Sequence, residues 1–198
     1  LAHQPQWHTY WKNPGDSGLP TTLQWTLPPG VTAGEVAWPT PQRIAVGSLA
    51  NYGYEGTVLL PVPLHIGAGF APAVGTGDVT IRLSASWLVC RLECIPQDGQ
   101  FELHIPARGS TASHGADFEA ALAANPRAME GALKATVDGD AVLLSATGLP
   151  ASWHGRALQA FPESINVLDA PGTPQTSDTV ASGGNPAKGQ QVWQGGVW

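Results

Sequence analysis

Between residues 80 and 90 the chain alternates without a break. Ile81, Leu83, Ala85, Trp87 and Val89 fall on one face, and Thr80, Arg82, Ser84 and Ser86 on the other. A period of two marks a strand with one buried face. By the same parity Cys90 points away from the apolar face, so its thiol is not one more small core hydrophobe. The segment FELHIP predicts a second strand with Phe101, Leu103 and Ile105 inward, preceded by turn chemistry in residues 96–99. Leu23, Trp25 and Leu27 alternate with Gln24 and Thr26, and Val58, Leu60, Val62, Leu64 and Ile66 make another inward row. Pro61 and Pro63 share a parity in that row, so their missing N–H groups predict an unpaired strand edge. Short strands punctuated by NPGDSG, LPPG and GAG predict an all-β chain built on a β-sandwich.

After Pro106 the pattern changes. The segment ARGSTASHG is small and polar and reads as a linker, and Asp117 is then expected to cap a short Ala-rich helix, FEAALAAN, stopped by Pro126. Beyond it, LKATVDGDAVLLSATG places Asp138 and Gly139 between two strand-like runs, a strong hairpin signal. The expected organisation is a sandwich over residues 1–108. Residues 109–198 follow as linker, one short helix and a second, smaller β-rich, sandwich-like unit. Its tail, from DAPGTPQ onward, is poor in large apolar residues and is expected to be loop or disordered.

Composition narrows the classes. The 198 residues are 42% hydrophobic, enough for a core, while 24 Gly, 18 Pro and only 12% charged residues favour many turns over long amphipathic helices. The net charge of −6 and the absence of any Lys/Arg run exclude the electrostatic footprint of a nucleic-acid binder. No apolar run approaches the ~20 residues that span a bilayer, and LAHQPQWHTYW lacks the regions of a signal peptide. The expectation is a soluble piece without direct membrane insertion, a mature or trimmed fragment of something larger.

The candidate chemistry centres on the two cysteines, Cys90 and Cys94. A hairpin with residues 91–93 as its loop would set them opposite each other, and cross-strand Cα separations of about 4.5 to 5.5 Å suit a disulfide. As a staple the bond would close a loop of five residues, worth roughly 2 kcal/mol against about 4.7 for a hundred-residue loop. A local structural disulfide, a redox-active pair and a metal site all remain open on these grounds. Two thiols are half a tetrahedral site, and His3, His8, His65, His104, His114 and His154 show no short spacing that completes it, although a two-thiolate Cu(I) site stays in play.

Two other features carry less. GDSG at residues 15–18 looks like a serine-protease nucleophile segment, but Leu19 and Pro20 follow it and too little chain precedes it to supply a triad, so it reads as a turn. The aromatic clusters WHTYW (Trp7, His8, Tyr10, Trp11) and NYGYEG (Tyr52, Tyr54, Glu55) suit packing at a sandwich edge. The second also has the glycine-aromatic composition of a loop that covers something and lifts away.

Taken in order, WHTYWKNPGDSGLPT, WPTPQRI, NYGYEGTVLLPV and WLVCRLECIP resemble the amino-terminal periplasmic domain of the thiol:disulfide interchange protein DsbD family. The likeness is greatest to its ScsB-type branch, associated with suppression of copper sensitivity, and covers roughly residues 5–106. It implies an immunoglobulin-like sandwich in the periplasm, normally with a further strand before Leu1. Such a domain takes reducing equivalents from the membrane-embedded part of its own protein, commonly through a thioredoxin-like domain. It passes them to oxidised, thioredoxin-like periplasmic partners, with no cofactor or resident metal. Cys90 and Cys94 match the redox pair, with Cys94 as the attacking thiol and Cys90 resolving it. His8 and Tyr10 match polar aromatic positions beside the pair, His8 standing where some members have Tyr. Asn51, Tyr52, Gly53, Tyr54 and Glu55 match a protective cap loop, shorter here. Arg91 beside Cys90 would favour a thiolate and Glu93 beside Cys94 would oppose one.

Overall fold

The computed structural model describes residues 1–71, 78–106, 113–128, 130–138, 141–153, 159–165 and 170. In chain order the strands are β1 (His8–Gly15), β2 (Thr22–Thr26), β3 (Val31–Ala33), β4 (Gln42–Val46), β5 (Leu49–Glu55), β6 (Leu64–Ile66), β7 (Asp78–Cys90) and β8 (Cys94–Pro106). Helix α1 (Gly115–Ala123) follows, then β9 (Leu133–Asp138) and β10 (Ala141–Ala146). The fold is all-β with one short α-helix among the described residues.

The chain divides into two compact units, and not at a single cut. One holds Leu1–Pro14, Gly18–Gln42 and Gly53–Pro126; the other holds Gly15–Ser17, Arg43–Tyr52 and Arg127–Trp198. Helix α1 therefore groups with the first unit, and β5 contributes its first four residues to the second unit and its last three to the first.

In the first unit the long antiparallel hairpin β7–β8 is the spine, paired without a break from Asp78↔Pro106 to Cys90↔Cys94. The other edge of β7 takes β2 along its middle, from Thr22↔Ser86 to Thr26↔Arg82, and β1 at its end through His8↔Cys90. The short pair β3–β6 forms the opposing layer. Val31 of β3 meets Val79 and Ile81 of β7 there, each 7% exposed or less, with Trp25, Leu64 and Ile105 packed around them. Ile81, Trp25, Leu64 and Ile105 are inward positions of the alternating rows, so that part of the sandwich core follows from strand parity, whereas Val31 and Val79 lie outside those rows.

Several expectations need correction. Residues 96–99 are not a turn: they lie inside β8, with Trp87↔Gln97 and Ala85↔Gly99 in register, and the turn is residues 91–93. Phe101 and Leu103 share the apolar face of the sheet but stay 55% and 58% exposed. They border an apolar cavity of about 480 Å³ that also involves Leu23, Leu60, Leu83 and Phe118. Of the row from Val58 to Ile66 only Leu64–Ile66 is a strand. The prolines before it have no N–H to give a ladder, yet their carbonyls are used, Pro61 O accepting from Ala37 N and Pro63 O from Gly34 N, both at 2.8 Å. Asp117 does not cap α1. His114 holds the cap position at φ 61°, and Asp117 sits in the first turn with Oδ2 3.2 Å from His114 Nδ1, where a carboxylate favours the helix dipole.

In the second unit β9 and β10 form the expected hairpin, from Ala141↔Asp138 to Ala146↔Leu133. Its Gly139 lies outside the described residues, as do residues 107–112 of the linker, His154 and nearly all of the tail.

Candidate functional site

The tip of β7–β8 is held by a disulfide, Cys90–Cys94, with an S–S distance of 2.06 Å and Cα atoms 4.1 Å apart. The three residues between are solvent-exposed, Leu92 at 90%, and Arg91 N donates to Glu93 O at 3.0 Å to close the turn. The two sulfur-bearing residues differ sharply. Cys94 is exposed and Cys90 is 3% exposed. Parity places Cys90 off the core face, as the alternation predicts, but it is not open to solvent. That face of β7 is exposed at Arg82, Ser84 and Ser86 and closes at Leu88 and Cys90, where β1 joins the free edge of β7.

Strand β1 supplies the cover. His8 stands directly opposite Cys90, and Tyr10, two residues on, projects to the same side. Both are 1% exposed, and their rings meet edge-on at 5.2 Å and 74°. The Tyr10 hydroxyl lies 3.7 Å from Cys94 Sγ, and since a disulfide sulfur has no proton the hydroxyl donates. Gly18, at φ 93°, lies against the Tyr10 ring so closely that a Cβ would fall on it. The GDSG turn thus ends on a residue whose lack of a side chain holds Tyr10 in place.

His8 Nε2 is buried without a hydrogen-bond partner. Burial lowers the His8 pKa from its ordinary 6.5; the Glu55 carboxylate partly opposes this, and His3 adds to it. His3 is shifted down as well, chiefly by burial, while its contact with Gly56 opposes. Its tautomer follows from its partners: Nδ1 donates to Gly56 O at 2.6 Å, so Nε2 accepts from the Thr9 hydroxyl at 3.0 Å.

Arg91 lies with its guanidinium over the Trp7 ring, 5.4 Å from the centroid. Trp7 is a partner that periodicity did not single out; its only sequence signal is membership of the WHTYW cluster. Glu93 is exposed at the turn. On the opposite face of the sheet a cavity of about 540 Å³ lies behind the cysteines, lined among others by Trp7, Trp87, Val89 and Ile95.

The segment expected to be a cap loop is instead the body of β5. Asn51, Tyr52 and Tyr54 are 1%, 4% and 5% exposed, and only Glu55 faces solvent. Asn51 Oδ1 accepts from Ser17 N and Oγ at 3.1 and 3.0 Å, and Tyr52 packs edge-on against Phe161 at 5.3 Å. In the other unit, the Tyr54 hydroxyl donates to Pro39 O at 2.8 Å, and burial raises its pKa. Gly53 is glycine because a Cβ would run into the Thr9 carbonyl of β1. The glycine-aromatic composition reflects close strand approach, not a loop that lifts.

Comparison with known proteins agrees with this geometry. The family described as "Thiol:disulfide interchange protein DsbD, N-terminal" matches residues 1–106. Among solved structures the chain is similar to the N-terminal periplasmic domain of ScsB from Proteus mirabilis, with 20% identity and a TM-score of 0.54 over 74% of this chain. The chain spans 56% of that structure's length. A search of curated proteins finds no match.

Proposed function

The chain belongs to the family of DsbD amino-terminal domains, and from that premise we propose that it is a periplasmic exchange module. It passes reducing equivalents from a membrane-embedded reductase, through a thioredoxin-like domain, to oxidised partner proteins. The observation that carries this reading is the unequal exposure of two bonded cysteines at the hairpin turn. Exchange requires a thiolate to approach a disulfide sulfur in line with the bond it breaks. Cys94 offers such an approach and Cys90 does not.

In the loading direction a donor thiolate attacks Cys94 Sγ, a mixed disulfide forms, and Cys90 leaves as the thiolate. The donor's second thiol then releases Cys94, leaving the domain with two thiols and the donor with a disulfide. In the unloading direction Cys94 attacks the partner's disulfide, one partner sulfur leaves, and Cys90 attacks Cys94 to expel the other. Two electrons and two protons pass to the partner. The bond closes a loop of only five residues, worth roughly 2 kcal/mol, so opening it leaves the sandwich folded.

The test uses a reduced thioredoxin-like protein. The parent's disulfide opens and, with an oxidised partner present, closes again, whereas Cys90→Ala halts at a mixed disulfide on Cys94. A bond that resists excess reductant, or a sandwich that unfolds when the bond opens, makes the disulfide a structural staple and ends the reading.

A further inference from the structure

The register sets three side chains in one row across three strands. His8 of β1 is opposite Cys90 of β7, and Cys90 is opposite Cys94 of β8. Directly opposed residues project from the same face with Cβ atoms about 4.5–5.5 Å apart. The row therefore runs imidazole, buried cysteine, exposed cysteine. Tyr10 holds the imidazole edge-on and reaches Cys94 with its hydroxyl.

An unpartnered buried polar nitrogen costs about 1–3 kcal/mol, and His8 Nε2 is one. In the oxidised pair neither sulfur has a proton to share. In the reduced pair Cys90 has one, and it must lose it before it can attack. Burial disfavours a thiolate, and the nearest cation in the turn, Arg91, is engaged over Trp7.

We propose that His8 handles the proton of Cys90. Its Nε2 accepts the Cys90 thiol proton as that sulfur attacks Cys94 in the mixed disulfide. The new Cys90–Cys94 bond forms, the bond to the partner breaks, the partner sulfur leaves with the electron pair, and the imidazolium passes its proton to that sulfur or to water. In the reverse direction the imidazolium returns a proton to Cys90 as it leaves. The depressed pKa suits this role, since it keeps the imidazole neutral and able to accept near pH 7. The titratable groups around it are Glu55 and His3, which act on it in opposite directions, with Tyr10 and the two cysteines. The inference rests on the exchange reading only in that Cys94 is the sulfur attacked.

The test needs no protein partner. Reduced domain is mixed with one equivalent of an aromatic disulfide whose thiol product is coloured. The first release reports attack by Cys94, and the second reports resolution by Cys90. In His8→Gln the first release keeps its rate, while the second slows about a hundredfold near neutral pH, and its pH midpoint moves up towards the ~8.5 of a free thiol. An unchanged second rate and midpoint overturn the proposal. A measurement on the parent covers a variant that fails to fold: the His8 imidazole, followed by NMR, must titrate differently in the oxidised and reduced domain, because proton sharing couples both groups. Identical titrations overturn it too. If the second release depends on His8 but no thioredoxin-like protein exchanges with the domain, only the carrier reading falls.

Discussion

Strands β7 and β8 have equal length, pair residue for residue, and carry the same alternation, yet one has buried positions and the other has none. Val79, Ile81, Ala85 and Cys90 of β7 are 5% exposed or less, whereas nearly all of β8 is open, Phe101 and Leu103 included. The difference lies at the edges. β7 has β2 and β1 along its second edge, and among the described residues β8 pairs with β7 alone. A disulfide at the tip of such a hairpin inherits the inequality, with one sulfur lodged among β1 side chains and the other at the rim. The asymmetry that exchange chemistry uses is thus a property of sheet order, not of the cysteine spacing.

The largest expected effect breaks the pair into its two sulfurs. With Cys90→Ala the remaining Cys94 is alkylated in the native state at close to a free thiol's rate. With Cys94→Ala the remaining Cys90 reacts about a hundredfold more slowly, because reagent must wait for a local opening of roughly 3 kcal/mol. Timed alkylation read by mass spectrometry gives both rates, and equal rates would show that the cover supplied by β1 is not there in solution.

A smaller effect separates the two strands along their length. Ile81 and Leu103 are direct partners, 4% and 58% exposed. Ile81→Ala removes a packed side chain and is expected to cost about 2–5 kcal/mol, while Leu103→Ala costs about 1 kcal/mol or less. Denaturant unfolding of the two variants, followed through the sandwich tryptophans, measures the contrast. If Leu103→Ala costs as much as Ile81→Ala, β8 is covered in solution and the exposed rim does not exist.

Which parts of this were legible in the sequence follows from the range of the contacts. The faces of β7 and β2 are set by local alternation, and their residues fell where parity put them. The turn at residues 91–93 was readable from the cysteine spacing, and the family from four blocks of residues. Pro96 and Gly99 misled, because a proline is tolerated without a turn on an edge strand, and among the described residues β8 pairs with β7 alone. Asn51 to Glu55 misled for a related reason: Gly53 records the approach of the Thr9 carbonyl, a contact more than forty residues away that no local pattern contains. The burial of Cys90 was likewise hidden, since its cover comes from His8 and Tyr10 on a strand some eighty residues earlier.

The smallest effect concerns the buried end of that row. A histidine whose folded pKa lies below its unfolded value of 6.5 binds fewer protons folded than unfolded. Its contribution to stability is therefore fully present above pH ~6.5 and is lost as pH falls through the folded value. The parent should lose stability on acidification from about pH 7.5 to about pH 5 more steeply than His8→Gln, which has no proton to take up at that position. His3 is shifted in the same direction and remains in both proteins, so the difference in slope belongs to position 8. Unfolding midpoints across that range supply the two slopes. Parallel slopes would mean that imidazole protonation is no harder in the fold than in the unfolded chain, and the site at the end of β7 would then be wetter than its packing implies.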